Sequence, residues 1–192
     1  MKNIAIFASG NGTNCENIIR HFNGSTNINT ALVVCNNSGA TVVDRAKRLG
    51  VSVEILHRGD LADSRKVLPL LSAYGISYII LAGFMLMIPE YLIDAYPGRI
   101  VNIHPSLLPK YGGKGMFGMN VHEAVRKNGE KESGITIHLV DREYDRGEII
   151  RQYSTPLSPG DSAEEIARKV HALEYEYYPK TIELIINGEH DE

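Results

Sequence analysis

Asn102 and His104 stand two residues apart in an apolar segment that Pro105 brings to an end. The β-branched residues around them predict a strand, and side chains two positions apart on a strand point to the same side. Asn102 offers an amide N–H, and His104, when protonated, offers a charged N–H and a proton. Both would lie at the carboxyl end of the strand, the edge where open α/β sheets bind ligands. Taken alone, the pair is more typical of a buried histidine and asparagine that fix a loop.

A glycine-rich loop, Ser9-Gly10-Asn11-Gly12-Thr13-Asn14, follows the apolar residues 3–8 and precedes a helix that continues to about His21. Between a strand and a helix, such a loop lets backbone N–H groups approach an anion. Its spacing fits equally well a tight turn that binds nothing, because the dinucleotide fingerprint is incomplete. The next strand ends at Asn36-Asn37, which lack the acidic side chain that would hold a dinucleotide's ribose, so a nicotinamide-dependent enzyme is disfavoured.

Strands and helices alternate along the rest of the chain, which predicts an α/β fold with one doubly wound, mostly parallel sheet. Further strands are predicted at about 30–35, 51–56, 77–82 and 133–140, with 148–154 pairing back beside the last of these. Further helices are predicted over 39–49, 63–74, 89–96 and 120–128, and from Asp161 to near the C-terminus. Asp161 and Glu164 form a D-x-x-E capping box for that last helix, and Pro179 should kink or interrupt it.

Composition narrows the class of protein. A chain of 192 residues with 43% hydrophobic and 22% charged residues is expected to form one globular domain over residues 1–192. Its formal charge of -3 gives no basic surface for nucleic acid. The apolar run near the N-terminus is too short for a signal peptide or a membrane span. Cys15 and Cys35 are expected in the core of a reduced, cytoplasmic protein.

Three stretches together resemble the folate-dependent formyltransferases. They are Leu81-Ala82-Gly83-Phe84-Met85, Asn102-Ile103-His104-Pro105-Ser106-Leu107-Leu108-Pro109, and Asp145 ahead of Gly147. The resemblance extends from about Lys2 to about Gly188 and implies a Rossmann-like formyltransferase domain. It also implies formyl transfer from 10-formyltetrahydrofolate to an amine without a metal ion. The glycine-rich loop is similar to that of family members that formylate glycinamide ribonucleotide (5-phosphoribosylglycinamide) in purine biosynthesis.

Formyl transfer places negative charge on the formyl oxygen, so the site needs donors aimed at that oxygen and a route for a proton. The resemblance gives the donor role to Asn102 and His104, makes His104 the proton donor, and assigns Asp145 to hold and charge the imidazole. Apart from the resemblance, Asp145 would be taken as a turn residue.

The resemblance also implies the substrate contacts. Gly12, Thr13 and Asn14 would hold the phosphate and ribose of the ribonucleotide, with Glu174 on the ribose hydroxyls. Folate would contact Arg65, Met85, Leu86, Met87, Ile88 and Asn102. Glu174 and Arg65 are equally typical of solvated helix charges.

Two departures from the family pattern affect these expectations. Leu86 stands where members often carry arginine, so a side-chain contact to folate is lost or replaced there. The loop over residues 113–119 is longer than in those members. The resemblance therefore does not predict whether this loop closes over the site or whether His122 has a role.

Several alternatives fit parts of this pattern. The chain could formylate methionyl-tRNA or an amino sugar, but those enzymes carry an additional C-terminal domain and this chain ends soon after its last helix. A deformylase that uses water as acceptor would carry an N-terminal regulatory domain. A non-catalytic nucleotide-binding module would bind the ribonucleotide without turnover.

The expected partners are the two small-molecule substrates. Neither nucleic acid nor a membrane is expected as a partner, and the protein is expected to be a monomer or a homodimer.

Overall fold

The structure is a computed structural model and describes residues 1–188. Strands and helices alternate through most of these residues, as the sequence predicts. In chain order they are β1 (Lys2–Ala8), α1 (Thr13–Phe22), β2 (Ile28–Cys35), α2 (Thr41–Arg48), β3 (Ser52–Ile55), α3 (Arg58–Ala62), α4 (Ser64–Ala73), β4 (Ile76–Leu81), α5 (Glu90–Ala95), β5 (Ile100–His104), α6 (Met119–Lys127), β6 (Glu132–Leu139), β7 (Ile149–Pro156) and α7 (Ala163–Asn187).

The strands form one seven-stranded sheet in the order β3-β2-β1-β4-β5-β6-β7. β1 pairs in parallel with β2 on one side and with β4 on the other, so the strand order reverses beside β1. β3 pairs in parallel with β2, whereas β7 pairs antiparallel with β6. The predicted α/β fold with a mostly parallel sheet is therefore confirmed, together with the returning last strand.

The chain groups into two compact units, Met1–Val101 with the segment that begins at Ile182, and Asn102–Thr181. In the first unit, residues 4–8 of β1 are fully buried, as expected for a parallel strand covered on both faces. In the second unit, Ile135 and Ile137 of β6 and Tyr178 of α7 are fully buried. A single domain over residues 1–192 stays a prediction.

The start of α7 differs from the predicted capping box by one residue. Ser162 and Glu165 form the reciprocal pair, because the Glu165 N–H donates to Ser162 Oγ at 3.2 Å and the Ser162 N–H donates to Glu165 Oε2 at 2.7 Å. Asp161 instead accepts from the Ser158 N–H and pairs with Lys169. Both carboxylates stand three residues after a possible cap, so the sequence pattern alone does not choose between the two registers.

Two further elements depart from expectation. α7 runs without interruption through Pro179, and the neighbouring residues Tyr178, Thr181 and Ile182 are buried. Tertiary burial therefore outweighs the single backbone hydrogen bond that proline removes. The short helix α3 was not predicted, and it begins after His57, whose N–H donates to Asp60 Oδ2 at 3.0 Å.

The two cysteines, Cys15 and Cys35, are buried and free, as expected. Burial raises the pKa of the Cys15 thiol to about 12, so this side chain behaves as a small apolar group. Within residues 1–188, none of the helices has the length and apolar character needed to cross a membrane.

Candidate active site

The side chains of His104 and Asp145 lie next to each other in the second unit. His104 ends β5, and Asp145 lies in the turn between β6 and β7 with a left-handed φ of 55°. His104 Nδ1 lies 3.5 Å from Asp145 Oδ2, and the two side chains are only 5% and 13% exposed. The Gly113 N–H donates to the same carboxylate oxygen at 2.9 Å. The two residues are thus brought together from distant parts of the sequence and largely shielded from water.

The other ring nitrogen of His104 also faces an acceptor. His104 Nε2 donates to the carbonyl oxygen of Tyr111 at 2.7 Å. Tyr111 has a left-handed φ of 57°, its hydroxyl donates to Glu130 at 2.8 Å, and it accepts from the Asn128 amide at 3.0 Å. A neutral imidazole carries one N–H and can satisfy one acceptor, whereas the imidazolium satisfies both. The surroundings of His104 therefore place an acceptor at each of its two ring nitrogens.

Asn102 is linked to the same cluster through His138, a residue that the sequence analysis did not identify. His138 Nδ1 lies 2.8 Å from the carbonyl oxygen of Leu139, which can only accept, so Nδ1 carries the proton. The lone pair on His138 Nε2 is left to accept from the Asn102 amide nitrogen, 3.1 Å away. Burial lowers the pKa of His138, in agreement with a neutral ring. This bond fixes which end of the Asn102 amide presents N–H groups.

A signal for His138 was present in the sequence. His138 and Thr136 stand two residues apart near the carboxyl end of β6, and both are buried. This is the same period-two pattern that singled out Asn102 and His104 on β5. His138 Nε2 also lies 3.7 Å from Asp145 Oδ1, so the carboxylate stands between two imidazoles.

A second group of titratable residues surrounds Glu174 on α7. Glu174 Oε2 lies 3.0 Å from His171 Nδ1, and this hydrogen bond raises the pKa of His171. His122 on α6 is 6% exposed, and burial lowers its pKa although the charge of Glu174 opposes the shift. The pairing of Glu174 with His171 argues against a free solvated charge, while its contact to ribose stays a prediction.

The glycine-rich loop in the first unit turns directly into α1. Gly12 is the N-cap of α1 and adopts φ 77° and ψ 25°, a conformation that glycine takes readily. A Cβ at this position would lie 2.5 Å from the Cβ of Val42, so only glycine fits the space. The helix begins at Thr13, and the first N–H groups of a helix have no intrahelical acceptor.

The residues expected to contact folate differ in their surroundings. Met85 and Met87 are 51% and 49% exposed, Leu86 is half-buried, and Ile88 is buried. The Met85 N–H donates to Ser9 Oγ at 2.8 Å, which ties this segment to the loop that follows β1. The Arg65 side chain is 88% exposed, and its guanidinium makes two hydrogen bonds to Asp63, the N-cap of its own helix. Its contacts match the surface-helix interpretation.

Among residues 1–188, no group of three or more histidine, cysteine, aspartate or glutamate side chains is arranged to hold a metal ion. That the chemistry proceeds without a metal remains a prediction.

Comparison with protein families matches residues 2–182 to the family described as "Formyl transferase". The chain belongs to the formyl transferase family. Similar curated formyl transferases include the phosphoribosylglycinamide formyltransferase of Bacillus subtilis, 35% identical over 97% of this chain and 95% of that protein. The chloroplastic phosphoribosylglycinamide formyltransferases of Arabidopsis thaliana and Vigna unguiculata are both 36% identical, and the chain spans 64% and 61% of their lengths.

Solved formyl transferase structures are similar as well. The glycinamide ribonucleotide transformylase 1 of Geobacillus kaustophilus is 36% identical, with a TM-score of 0.87 over 97% of this chain and 99% of that one. The phosphoribosylglycinamide formyltransferase of Bacillus halodurans is 35% identical, also with a TM-score of 0.87, over 98% and 97% of the two chains.

Proposed function

We propose that this formyl transferase moves the formyl group of 10-formyltetrahydrofolate to the amine of 5-phosphoribosylglycinamide, a step of purine biosynthesis. The observation that carries this proposal is the 35% identity to the Bacillus subtilis phosphoribosylglycinamide formyltransferase over 95% of that enzyme's length. The imidazole, carboxylate and amide found in the second unit provide the chemistry that such a transfer needs.

In the proposed reaction the amine nitrogen attacks the formyl carbon, a new C–N bond forms, and the formyl oxygen becomes an anion. Asn102 donates to this oxygen through the amide N–H that does not bond to His138. In this proposal the imidazolium of His104 places a positive charge beside the formyl oxygen, and the nearby Asp145 carboxylate stabilises that charge. The intermediate then collapses, the bond from the formyl carbon to N10 of folate breaks, and the net change moves one proton from the amine to N10.

His104 is the proposed donor of the proton that N10 receives. In the structure its Nε2–H is bonded to the Tyr111 carbonyl oxygen, and its Nδ1 faces Asp145. We therefore infer that the reacting group replaces the Tyr111 carbonyl at Nε2, while the contact to Asp145 persists. The adjacent Gly112 and Gly113 give the backbone the freedom for this exchange.

Substrate contacts are proposed by matching the residues to the family pattern. The backbone at Gly12, Thr13 and Asn14 holds the phosphate and ribose, and Glu174 bonds the ribose hydroxyls. Folate is held by the backbone of residues 85–88, by Asn102 and by Arg65. No metal ion has a role, since Asn102 and His104 supply the oxyanion donors. We further propose a cytoplasmic monomer or homodimer.

The test is an assay with purified protein, 5-phosphoribosylglycinamide and 10-formyltetrahydrofolate, in which folate absorbance and product mass are both followed. We expect equimolar tetrahydrofolate and N-formylated ribonucleotide. Release of formate without formylated ribonucleotide would identify water as the acceptor. Ribonucleotide binding without turnover would identify a binding module, and either result would reject the proposal.

A further inference from the structure

We propose that Arg45 on α2 is a positioning residue that holds the glycine-rich loop in the form that binds the ribonucleotide phosphate. This inference rests on the proposed function, because it takes the loop at Gly12, Thr13 and Asn14 as the phosphate site. The residues involved all belong to the first unit, and none is among the side chains assigned to chemistry or to substrate.

The loop is shaped by α2 through contacts of two kinds. The Val42 N–H donates to the carbonyl oxygen of Gly10 at 3.1 Å, and the Val42 side chain fills the space where a Cβ on Gly12 would lie. Arg45, one turn further along α2, donates from Nε to the carbonyl oxygen of Asn11 at 2.9 Å and from Nη2 to Asn11 Oδ1 at 3.0 Å. Asn11 is thus held by both its backbone and its side chain.

A third interaction fixes the direction of the guanidinium. Arg45 Nη1 donates to Glu16 in the first turn of α1, and Glu16 also accepts from Arg20. Hydrogen bonds from these two arginines lower the pKa of Glu16, so the carboxylate stays ionised near neutral pH. Arg45 therefore spans from the loop to the helix whose N-terminal N–H groups would face the phosphate.

This arrangement limits what Arg45 can do. Its donors are directed to Asn11 and Glu16, and its charge is matched by the Glu16 carboxylate. Its contribution is then to keep the Gly10–Asn14 backbone in one conformation before ligand binds, which lowers the entropy lost on binding. Losing two charge-assisted hydrogen bonds should weaken ribonucleotide binding by roughly tenfold or more.

Arg20 provides a matched control. It forms the same kind of ion pair with Glu16, at 2.8 Å, but its contacts are to Glu16 and not to the loop. Substituting either arginine by methionine removes one positive charge beside Glu16 while keeping an apolar stem. Only the Arg45 substitution removes the bonds to Asn11.

The experiment measures 5-phosphoribosylglycinamide binding by calorimetry and steady-state kinetics with both substrates, for wild type, Arg45→Met, Arg20→Met, Asn11→Ala and Arg45→Met/Asn11→Ala. We expect Arg45→Met to raise the ribonucleotide Kd and KM by roughly tenfold or more, with the KM for 10-formyltetrahydrofolate and kcat within about twofold. Asn11→Ala should also raise the ribonucleotide Kd and KM, by a smaller factor. The double variant should have a ribonucleotide Kd and KM little higher than those of Arg45→Met alone.

Other results would overturn the inference. These are an unchanged ribonucleotide Kd in Arg45→Met, an equal loss in Arg20→Met, an equal rise in both KM values, or additive effects of Arg45 and Asn11. If Arg45→Met does not fold, Arg45→Lys and Asn11→Ala provide the same comparison. A wild type that binds no ribonucleotide would instead reject the proposed function, which separates the two failures.

Discussion

The Nε2 atom of His104 lies 2.7 Å from the carbonyl oxygen of Tyr111, so a backbone group occupies the ring nitrogen expected to serve the reaction. The other nitrogen faces Asp145. The imidazole is consequently oriented from both sides, and its protonated form satisfies both acceptors. The catalytic roles of Asn102, His104 and Asp145 remain predictions. The geometry identifies the ring nitrogen of His104 that each prediction concerns.

His104→Ala and Asn102→Ala should each lower kcat by roughly 10²–10³-fold, the scale observed when one oxyanion donor is removed. The physical reason is the loss of a preorganised donor or charge beside the developing anion. Circular dichroism and thermal melting should show that both variants remain folded. Turnover close to that of wild type in both variants would contradict the assigned roles.

His138→Leu should lower kcat by roughly tenfold with little change in either KM, because the Asn102 amide loses the acceptor that fixes its orientation. His138→Gln, which keeps an acceptor oxygen, should recover part of the loss. Equal activity of His138→Leu and wild type would remove His138 from a positioning role. A matching loss in the leucine and glutamine variants would assign the effect to packing.

His138 should also remain neutral at a pH where an ordinary histidine is half protonated, about 6.5, because burial lowers its pKa. A base whose pKa is lowered by folding takes up its proton more readily in the unfolded chain. The contribution of His138 to stability is therefore complete above about pH 6.5 and falls as the pH decreases below it. An NMR titration of the imidazole carbon-bound protons checks this, and an apparent pKa above 6.5 would contradict it.

His171 should behave in the opposite way, because its hydrogen bond to Glu174 raises its pKa. The pair stabilises the folded protein fully below about pH 6.5, and this contribution is lost as the pH rises through the raised pKa. Since His171 is 45% exposed, solvent should keep the effect small. In an NMR titration Glu174→Gln should move the His171 midpoint to lower pH, and an unmoved midpoint would show that another group sets it.

Gly134→Ala should destabilise the protein by about 3 kcal/mol, at the upper end of the range for overpacking, and lower Tm by roughly 6–12 °C. A Cβ at Gly134 would overlap the carbonyl oxygen of Tyr153 on the neighbouring strand and lie 3.0 Å from Ser154 Cα. Relieving this overlap requires the paired backbone of β7 to shift, which is unfavourable. Gly160→Ala is the control, because nothing lies within 4 Å of its added Cβ. Similar melting temperatures for the two variants would show that β6 and β7 can move apart.

The sequence by itself determined the order of strands and helices except for the short helix α3. It also determined the end of β5 at Pro105 and the placement of Asn102 and His104 on one side of that strand. These features follow from local steric rules and from the spacing of apolar residues. Both depend only on residues that are close together in the sequence. The proximity of Asp145 to His104 was implied by family resemblance, since a lone aspartate before a glycine is also typical of a turn.

Only the tertiary structure decided the contacts between residues distant in the chain. The bond from Arg45 to Asn11, the link from Asn102 to His138, and the Tyr111 carbonyl on His104 depend on how elements pack. The capping register of α7 and its passage through Pro179 were decided in the same way. The sequence pattern of one segment does not determine such contacts. Burial and hydrogen bonding at a contact depend on all the segments that pack against each other at that point.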